Sequence, residues 1–214
     1  MKTSALFAAS LLALAAAGCA KNMTSIQIAE ICFPPDDASK CAFAATCARQ
    51  LMGNAAIDTG STQTLVLAVQ VDNHTEDNAD ADTFRANSHD AYVEEVNVEY
   101  ESTFFIPSVR QRVGPFVVRA NDTNVIEIEP VTQVSGDAIQ SALAATAAPV
   151  GILAKVRLNG HYQDQSAFET AEWDVAIDVC NGCGDFDPAP CTTGIPVALC
   201  PNNPGQQPLT VKCQ

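Results

Sequence analysis

The residues of this 214-residue chain that could carry the most varied chemistry are its nine cysteines. Eight fall into two groups: Cys32, Cys41 and Cys47 near the start, and Cys180, Cys183, Cys191, Cys200 and Cys213 near the end. This many thiols is typical of an oxidising compartment, where they form structural disulfides. Because each group holds an odd number, complete pairing requires one or three bridges between the groups. We therefore expect the two ends of the chain to lie side by side.

The segment from Cys180 to Cys183 is a CxxC motif with three possible chemistries. A c-type haem would need His after the second cysteine, but Gly184 stands there. Thiol–disulfide exchange favours a first cysteine at a helix N-terminus, whereas this pair follows a predicted strand. Zinc could recruit Cys191 and Cys200 as further ligands, although an oxidising compartment favours disulfides. Structural bridges are the favoured interpretation, with zinc and redox chemistry as alternatives.

An acidic segment, residues 72–90, could bind a cation. Asn78, Asp80 and Asp82 have the spacing of the first ligands of a calcium loop. The pattern then fails, because Thr83 stands where an EF-hand requires Gly and His89 where it requires Glu. A solvated acidic loop is the favoured interpretation. Calcium is the one cofactor that the sequence leaves open.

The three histidines, His74, His89 and His161, have no nucleophile motif around them. The chain contains no GxSxG, no HExxH and no phosphate-binding glycine loop. We predict that all three are surface residues and that the protein is not an enzyme.

The first residues of the chain indicate export. Lys2 precedes an apolar run from Ala5 to Ala17, which ends in LLALAAAGC at Cys19. This segment resembles the lipobox of bacterial lipoproteins. The resemblance implies that Cys19 is acylated and becomes the mature N-terminus, and that Ala20 after it directs the protein to the outer membrane rather than the inner one. The alternative is an ordinary signal peptide, cut near Ala20 with Cys19 removed.

The charge balance limits the possible partners. The chain has 11 Lys and Arg against 25 Asp and Glu, a formal net charge of −14. Such a chain is repelled by nucleic acid phosphates and by anionic lipid headgroups. We expect no nucleic acid partner, and a membrane contact that depends on lipid at Cys19.

The elements that position the cysteines, histidines and acidic residues are mostly predicted strands, because apolar and polar residues alternate along the chain. The predicted strands are residues 26–32, 64–71, 92–105, 115–119, 124–129, 152–162 and 168–179. Short helices are predicted within residues 36–51 and at residues 138–148, the second capped by Asp137. For residues 36–51, an irregular loop held by disulfides is the alternative. In the last two strands, Leu158 is expected opposite Trp173, and Arg157 opposite Asp174.

The pattern predicts an antiparallel β-sandwich, Ig-like in architecture, with one or two short helices. The expected organisation is a signal peptide at residues 1–18, an anchor and stem at 19–25, a β domain at 26–180 and a Cys-rich tail at 181–214, packed on the same domain. The function that we predict is a lipid-anchored, non-enzymatic binding or structural module of the bacterial envelope, with a protein or glycan partner. The alternative is a calcium- or zinc-binding or redox protein of the envelope.

Overall fold

The described part of the chain consists mainly of β-strands, with one α-helix, so the predicted mainly β class is confirmed. The computed structural model describes residues 25–32, 47, 54–60, 62–79, 87–143, 148–182, 196–197 and 212–213. The elements in chain order are β1 Ile26–Cys32, β2 Ala55–Asp58, β3 Leu65–Asn73, β4 Ala91–Glu101, β5 Val109–Val118, β6 Asp122–Val131, α1 Gln133–Ala142, β7 Val150–Tyr162, β8 Ala167–Glu169, β9 Trp173–Cys180, β10 Pro196–Val197 and β11 Lys212–Cys213.

These strands form three sheets. The first has three strands in the order β1-β3-β6, with antiparallel neighbours. The second has the order β2-β9-β7-β4-β5, and β8 pairs with β7 beside that path. The third is the short antiparallel pair β10 and β11. Because β2 runs parallel to β9, the six-stranded sheet is mixed, whereas the sequence pattern predicted antiparallel pairing throughout.

The alternation of β7 and β9 is the part of the prediction that the structure confirms most directly. The side chains that are buried share one face of the sheet: Ile152, Ala154, Val156 and Leu158 from β7, and Val175, Ile177 and Val179 from β9. The residues between them in β7, Lys155 and Arg157, lie on the opposite face and are only partly buried. Neighbouring β residues point to opposite faces, so this pattern is visible in the sequence.

The pairing of β7 with β9 is displaced by two residues from the predicted register. Trp173 lies opposite Val156 and not opposite Leu158, and Lys155 takes the predicted place of Arg157 opposite Asp174. Leu158 is instead bonded to Thr170, whose backbone N–H donates to Leu158 O at 2.9 Å and whose hydroxyl accepts from Leu158 N at 3.0 Å. Trp173 is partly buried against the core.

Strand β4 contains a β-bulge that the sequence analysis missed. The register with β7 shifts between Val93 and Glu95, which leaves Glu94 as the extra residue of that pair. Ala91 and Val93 are consequently buried on the same side as Val96, and Tyr92 lies on the outer face. Strict alternation along the predicted strand 92–105 places Tyr92 on the same face as Val96, and this expectation is wrong because a single inserted residue reverses the alternation. The strand also ends at Glu101, before the predicted end at residue 105.

Strands β5 and β6 are longer than predicted, because their prolines do not end them. Pro115 lies inside β5 and Pro130 inside β6. Each strand is at the edge of its sheet, where the missing N–H of proline costs no ladder hydrogen bond. The gap between the predicted strands 115–119 and 124–129 implies a turn at Asn121 and Asp122, and Asn121 adopts the positive φ of such a turn, 54°.

Helix α1 begins five residues before the predicted helix start, at Gln133 rather than Ala138. Its N-cap is Thr132, whose hydroxyl accepts from Ser135 N, while Ser135 Oγ accepts from Thr132 N at 2.9 Å. This capping box satisfies two backbone donors that the helix itself leaves free. Asp137, the predicted cap, therefore lies within the helix.

Other predicted features fall partly or wholly outside the described residues. Of the predicted helix within residues 36–51, only Cys47 is described. Of the predicted Cys-rich tail at residues 181–214, the structure describes Asn181, Gly182 and the backbone of β10 and β11, and the other tail residues lie outside the description. Within the described ranges, no helix has the length and apolar character needed to cross a membrane.

One hydrophobic core cluster contains buried residues from both larger sheets and from α1. The three-stranded sheet contributes Leu67 and Ile126, the six-stranded sheet contributes Val96 and Leu158, and the helix contributes Ile139. All five are 0% exposed. The two sheets and the helix therefore bury apolar surface together.

Asp58 joins the end of β2 to the residues that follow β9. The side chain is buried, and its Oδ1 accepts from Gly60 N at 2.8 Å and from Gly182 N at 2.7 Å. Asp58→Ala leaves both donors without this partner, so we expect the free energy of unfolding to fall by about 2 to 3 kcal/mol. Asp58→Asn retains an oxygen acceptor and should lose less. Denaturant titration followed by Trp173 fluorescence measures both, and equal losses for the two variants would contradict this role.

Candidate functional site

The described cysteines are consistent with structural bridges. Cys32 and Cys47 form a disulfide, and Cys180 of the CxxC motif is also disulfide-bonded. Glu30 has a carboxylate oxygen within 4.8 Å of both sulfurs of the first bridge, but those sulfurs are bonded to each other and are not thiolates. Only the backbone of Cys213 is described, in β11, and the structure does not describe Cys19, Cys41, Cys183, Cys191 or Cys200.

The two ends of the acidic segment 72–90 are held together by side-chain hydrogen bonds. Asn73 is buried, and its Nδ2 donates to His89 O at 2.9 Å and to Val118 O at 3.0 Å. Asn78 bonds Ser88 twice, accepting from its N–H at 2.9 Å and donating to its Oγ at 2.6 Å. Of the calcium candidates, Asn78 therefore has a structural role, while Asp80 and Asp82 lie outside the described residues. Calcium binding at this segment stays a prediction.

The three histidines lie at or near the surface, as predicted. His74 is exposed, and His89 and His161 are partly exposed. His161 stacks on Tyr92 with ring centroids 5.2 Å apart and planes 9° apart. Its Nδ1 lies 3.4 Å from a carboxylate oxygen of Glu94, the bulge residue of β4.

Two strand irregularities, in β4 and β5, and a glycine of β7 meet beside this histidine. In β4, Glu94 is the extra residue of the bulge. In β5, residues 113–115 lie opposite that single position, because Val93 pairs with Phe116 and Glu95 with Arg112. In β7, Gly160 lies opposite Val93. Bulges occur preferentially at sheet edges and next to functional sites, where they redirect side chains.

The irregularities enclose a groove of about 560 Å³, which we call the bulged groove. Its lining residues are Glu94, Glu95, Arg110, Arg112, Val113, Pro115, Asn159 and Gly160. Gly160 is required by close packing, since a Cβ built there would lie 1.9 Å from Tyr92 O and 2.8 Å from Phe168 Cζ. The groove therefore depends on a glycine that lets two backbones approach closely.

The polar groups of the bulged groove are unevenly paired. Arg110 Nε lies 2.5 Å from Glu95 Oε2, and this hydrogen bond lowers the pKa of the Glu95 carboxyl. Asn159 Nδ2 donates to Glu95 Oε1 at 3.4 Å, but Asn159 Oδ1 is buried and has no hydrogen-bond donor among the described residues. Arg112 is exposed, and no described carboxylate lies within salt-bridge distance of its guanidinium.

Farther along the same sheet face, the charges form pairs. Lys155 Nζ lies 2.6 Å from Glu101 and 3.2 Å from Glu172, and Arg157 contacts Glu99 at 3.3 Å as well as Glu172. The hydrogen bond from Arg157, followed by the one from Lys155, lowers the pKa of Glu172. Paired charges at an exposed sheet surface contribute little to stability and offer no free group to a ligand. The bulged groove differs from this region in containing Arg112, which has no carboxylate within salt-bridge distance among the described residues.

Comparison with known proteins assigns no function to the bulged groove. No protein-family model matches the chain, and no curated protein matches it. None of the groove residues Glu94, Arg110, Arg112, Asn159 and Gly160 was predicted as a site residue. One signal was available, because a glycine inside an alternating strand marks a bulge or a close backbone approach. The convergence of β4, β5 and β7 at this glycine depends on strand pairing, which the local pattern does not contain.

Proposed function

We propose that the protein is a lipid-anchored component of the bacterial cell envelope that acts as a non-enzymatic binding or structural module. The observation that supports a binding role is the bulged groove, which is lined by Arg112, an exposed side chain with no carboxylate of the described residues within salt-bridge distance. The anchor is supported by the apolar segment ending in LLALAAAGC at Cys19. In this proposal the anchor holds the domain at the membrane, preferably the outer one, and the groove faces the partner.

The proposed architecture is an Ig-like β-sandwich. Its support is that β7 and β9 bury one face while the other carries charged residues, and that the core cluster joins both larger sheets. A sandwich places connecting segments together at each end, where binding residues commonly lie. Here Asp90, at the end of the acidic segment, is bonded to the β5–β6 connection, since its Oδ1 accepts from Ala120 N at 3.0 Å.

A non-enzymatic role is supported by the state of the carboxylate inside the groove. A general acid near neutral pH needs a raised carboxyl pKa. The Arg110 guanidinium acts in the opposite direction on Glu95 and lowers its pKa. Glu95 therefore stays ionised and paired, which suits the positioning of Arg110 better than proton transfer.

Substitution of Cys19 tests the anchor. We expect Cys19→Ser to abolish partition into the detergent phase while the domain remains folded, because a net charge of −14 gives the protein surface no affinity for anionic membranes. Detergent phase separation measures the partition, and mass spectrometry of the N-terminal peptide identifies the acyl groups. Ala20→Ser is the matched control, since it changes a neighbouring residue and keeps the cysteine.

Two results would contradict the anchor. A Cys19→Ser protein that still enters the detergent phase contains another membrane element, and a wild-type mature protein whose N-terminal peptide lacks Cys19 shows that an ordinary signal peptide was removed. The alternative function, a metal or redox protein, predicts bound calcium or zinc, or free thiols, in the native protein. Intact mass and metal analysis of the same preparation detect them.

A further inference from the structure

We propose that the anchor fixes the orientation of the domain on the membrane. The end of the domain that carries Ser25, which we call the Ser25 end, faces the bilayer. The opposite end, which carries α1 and which we call the helix end, is held away from it. This inference rests on the proposed lipid at Cys19 and adds which surfaces the anchored protein presents to the membrane and to the adjoining compartment.

The Ser25 end is defined by the contacts of the first described residue. Ser25 O accepts from His74 N at 2.8 Å, and β1 starts opposite Asn73, the last residue of β3. Asn73 in turn lies opposite Asp122, the first residue of β6. The attachment point of the segment that leads back to Cys19 is therefore at this end of the three-stranded sheet.

The helix end lies at the other end of the same strands. Leu65, the first residue of β3, lies opposite Val131, which immediately precedes the N-cap of α1. In the six-stranded sheet, the hydroxyl of Tyr100 near the end of β4 donates to Pro130 O at 2.9 Å. The β4–β5 connection, with the exposed Phe105, therefore belongs to the helix end as well.

The tether between the lipid and the domain is shorter than the domain is long. Six residue steps separate Cys19 from Ser25, and an extended chain of that length spans at most about 20 Å. Strand β4 begins two residues after His89, whose carbonyl is bonded by Asn73 at the Ser25 end, and its 11 residues rise about 33 Å. A reversed domain would hold Ser25 about 33 Å above the membrane, beyond the reach of the tether. The lipid therefore excludes the orientation in which the helix end faces the bilayer.

A domain lying on its side would need a lateral surface with affinity for lipid. The outer face of the six-stranded sheet instead carries the ion pairs of Lys155 with Glu101 and of Arg157 with Glu99. Surface binding to a bilayer depends on exposed apolar side chains or on basic charge that attracts anionic lipids. The described outer face of this sheet therefore offers no patch that would draw the helix end down to the membrane.

The charge of the Ser25 end is compatible with this orientation. Glu76, Asp77, Asp122 and Asp164 are exposed at this end. The tether allows a separation of up to about 20 Å, whereas the Debye length at physiological ionic strength is about 8 Å. The Ser25 end can therefore face even an anionic membrane across a layer of solvent, without tight contact with the headgroups.

Energy transfer from two dye positions tests the orientation on the lipidated protein in phosphatidylcholine vesicles that contain a lipid-linked acceptor dye. His74→azidophenylalanine carries the donor dye at the Ser25 end, and Phe105→azidophenylalanine carries it at the helix end. Both native side chains are exposed rings, so the replacements disturb no packed contact of the core. We expect severalfold greater transfer from position 74, because transfer falls steeply with the distance between the dyes.

A variant with about 15 Gly and Ser residues inserted after Asn22 is the matched control, since its tether exceeds the length of the domain. The difference between the two dye positions should shrink in this variant. Equal transfer from both positions with the native tether, greater transfer from position 105, or a difference that persists undiminished with the long tether would overturn the proposal. Intact mass of the same preparation reports the lipid. A lipidated protein with equal transfer disproves the orientation alone, whereas a mature protein without lipid at Cys19 disproves the anchor and with it the orientation.

Discussion

Gly160→Ala is expected to lower the free energy of unfolding by about 3 kcal/mol or more, because the new methyl group has no space. An added Cβ would lie 1.9 Å from Tyr92 O, and the obstructing atom is backbone that cannot rotate away. Forcing an extra carbon into packed structure typically costs about 1 to 3 kcal/mol, and backbone displacement adds to it. For a domain of this size each kcal/mol lowers Tm by about 2 to 4 °C.

Gly114→Ala is the matched control for this substitution. Gly114 lies in the irregular part of β5 beside the same groove, and an added Cβ there would have no neighbour within 4 Å. We expect a change within about 0.5 kcal/mol. Thermal and denaturant unfolding followed by Trp173 fluorescence compare the two variants. If both unfold at the wild-type midpoint, β4 and β7 do not approach each other as the structure shows.

Cys41 is expected to form a disulfide with a cysteine of the C-terminal group, Cys180 to Cys213. If Cys19 carries lipid and all eight other cysteines are oxidised, the observed Cys32–Cys47 bridge leaves Cys41 as the only unpaired member of its group. The odd number of cysteines in each group allowed one or three bridges between the groups. The observed Cys32–Cys47 bridge reduces this number to one. The parallel pairing of Asp58 with Cys180 brings the segment that follows the first group beside the start of the second.

The Cys41 bridge would close a loop of about 140 residues or more, which stabilises a fold by about 4 to 5 kcal/mol in the chain-entropy model. Cys41→Ser should lose approximately this free energy. The Cys32–Cys47 bridge spans 15 residues and is worth about 3 kcal/mol in the same model, so Cys47→Ser should cost less.

Peptide mapping without reduction identifies the partner of Cys41. The Cys41→Ser protein should also show one new free thiol in the tail on alkylation. Wild-type protein with a free Cys41 and a free tail cysteine would disprove the bridge, and so would bridges confined to each group.

The alternation of apolar residues was enough to predict most of the larger strands and the faces of β7 and β9. Ile152, Ala154, Val156 and Leu158 recur at every second position, and a strand with one buried face requires this period. The start of α1 was harder to predict from the sequence. The Thr132–Ser135 capping box is a weaker signal for a helix start than the acidic residue at position 137. The parallel strand β2 was missed, since four residues are too few to show a period.

The sequence by itself determined the mainly β class, the alternation of buried and outer residues and the odd division of cysteines, because these follow from residue type and local spacing. Only the tertiary structure decided the register of β7 with β9, the face of Tyr92 and the bulged groove. A single inserted residue such as Glu94 reverses every later side chain, and its position is set by pairing with distant strands. Gly160, Asn159 and Arg112 come together only because β4 holds β5 and β7 on either side of its bulge.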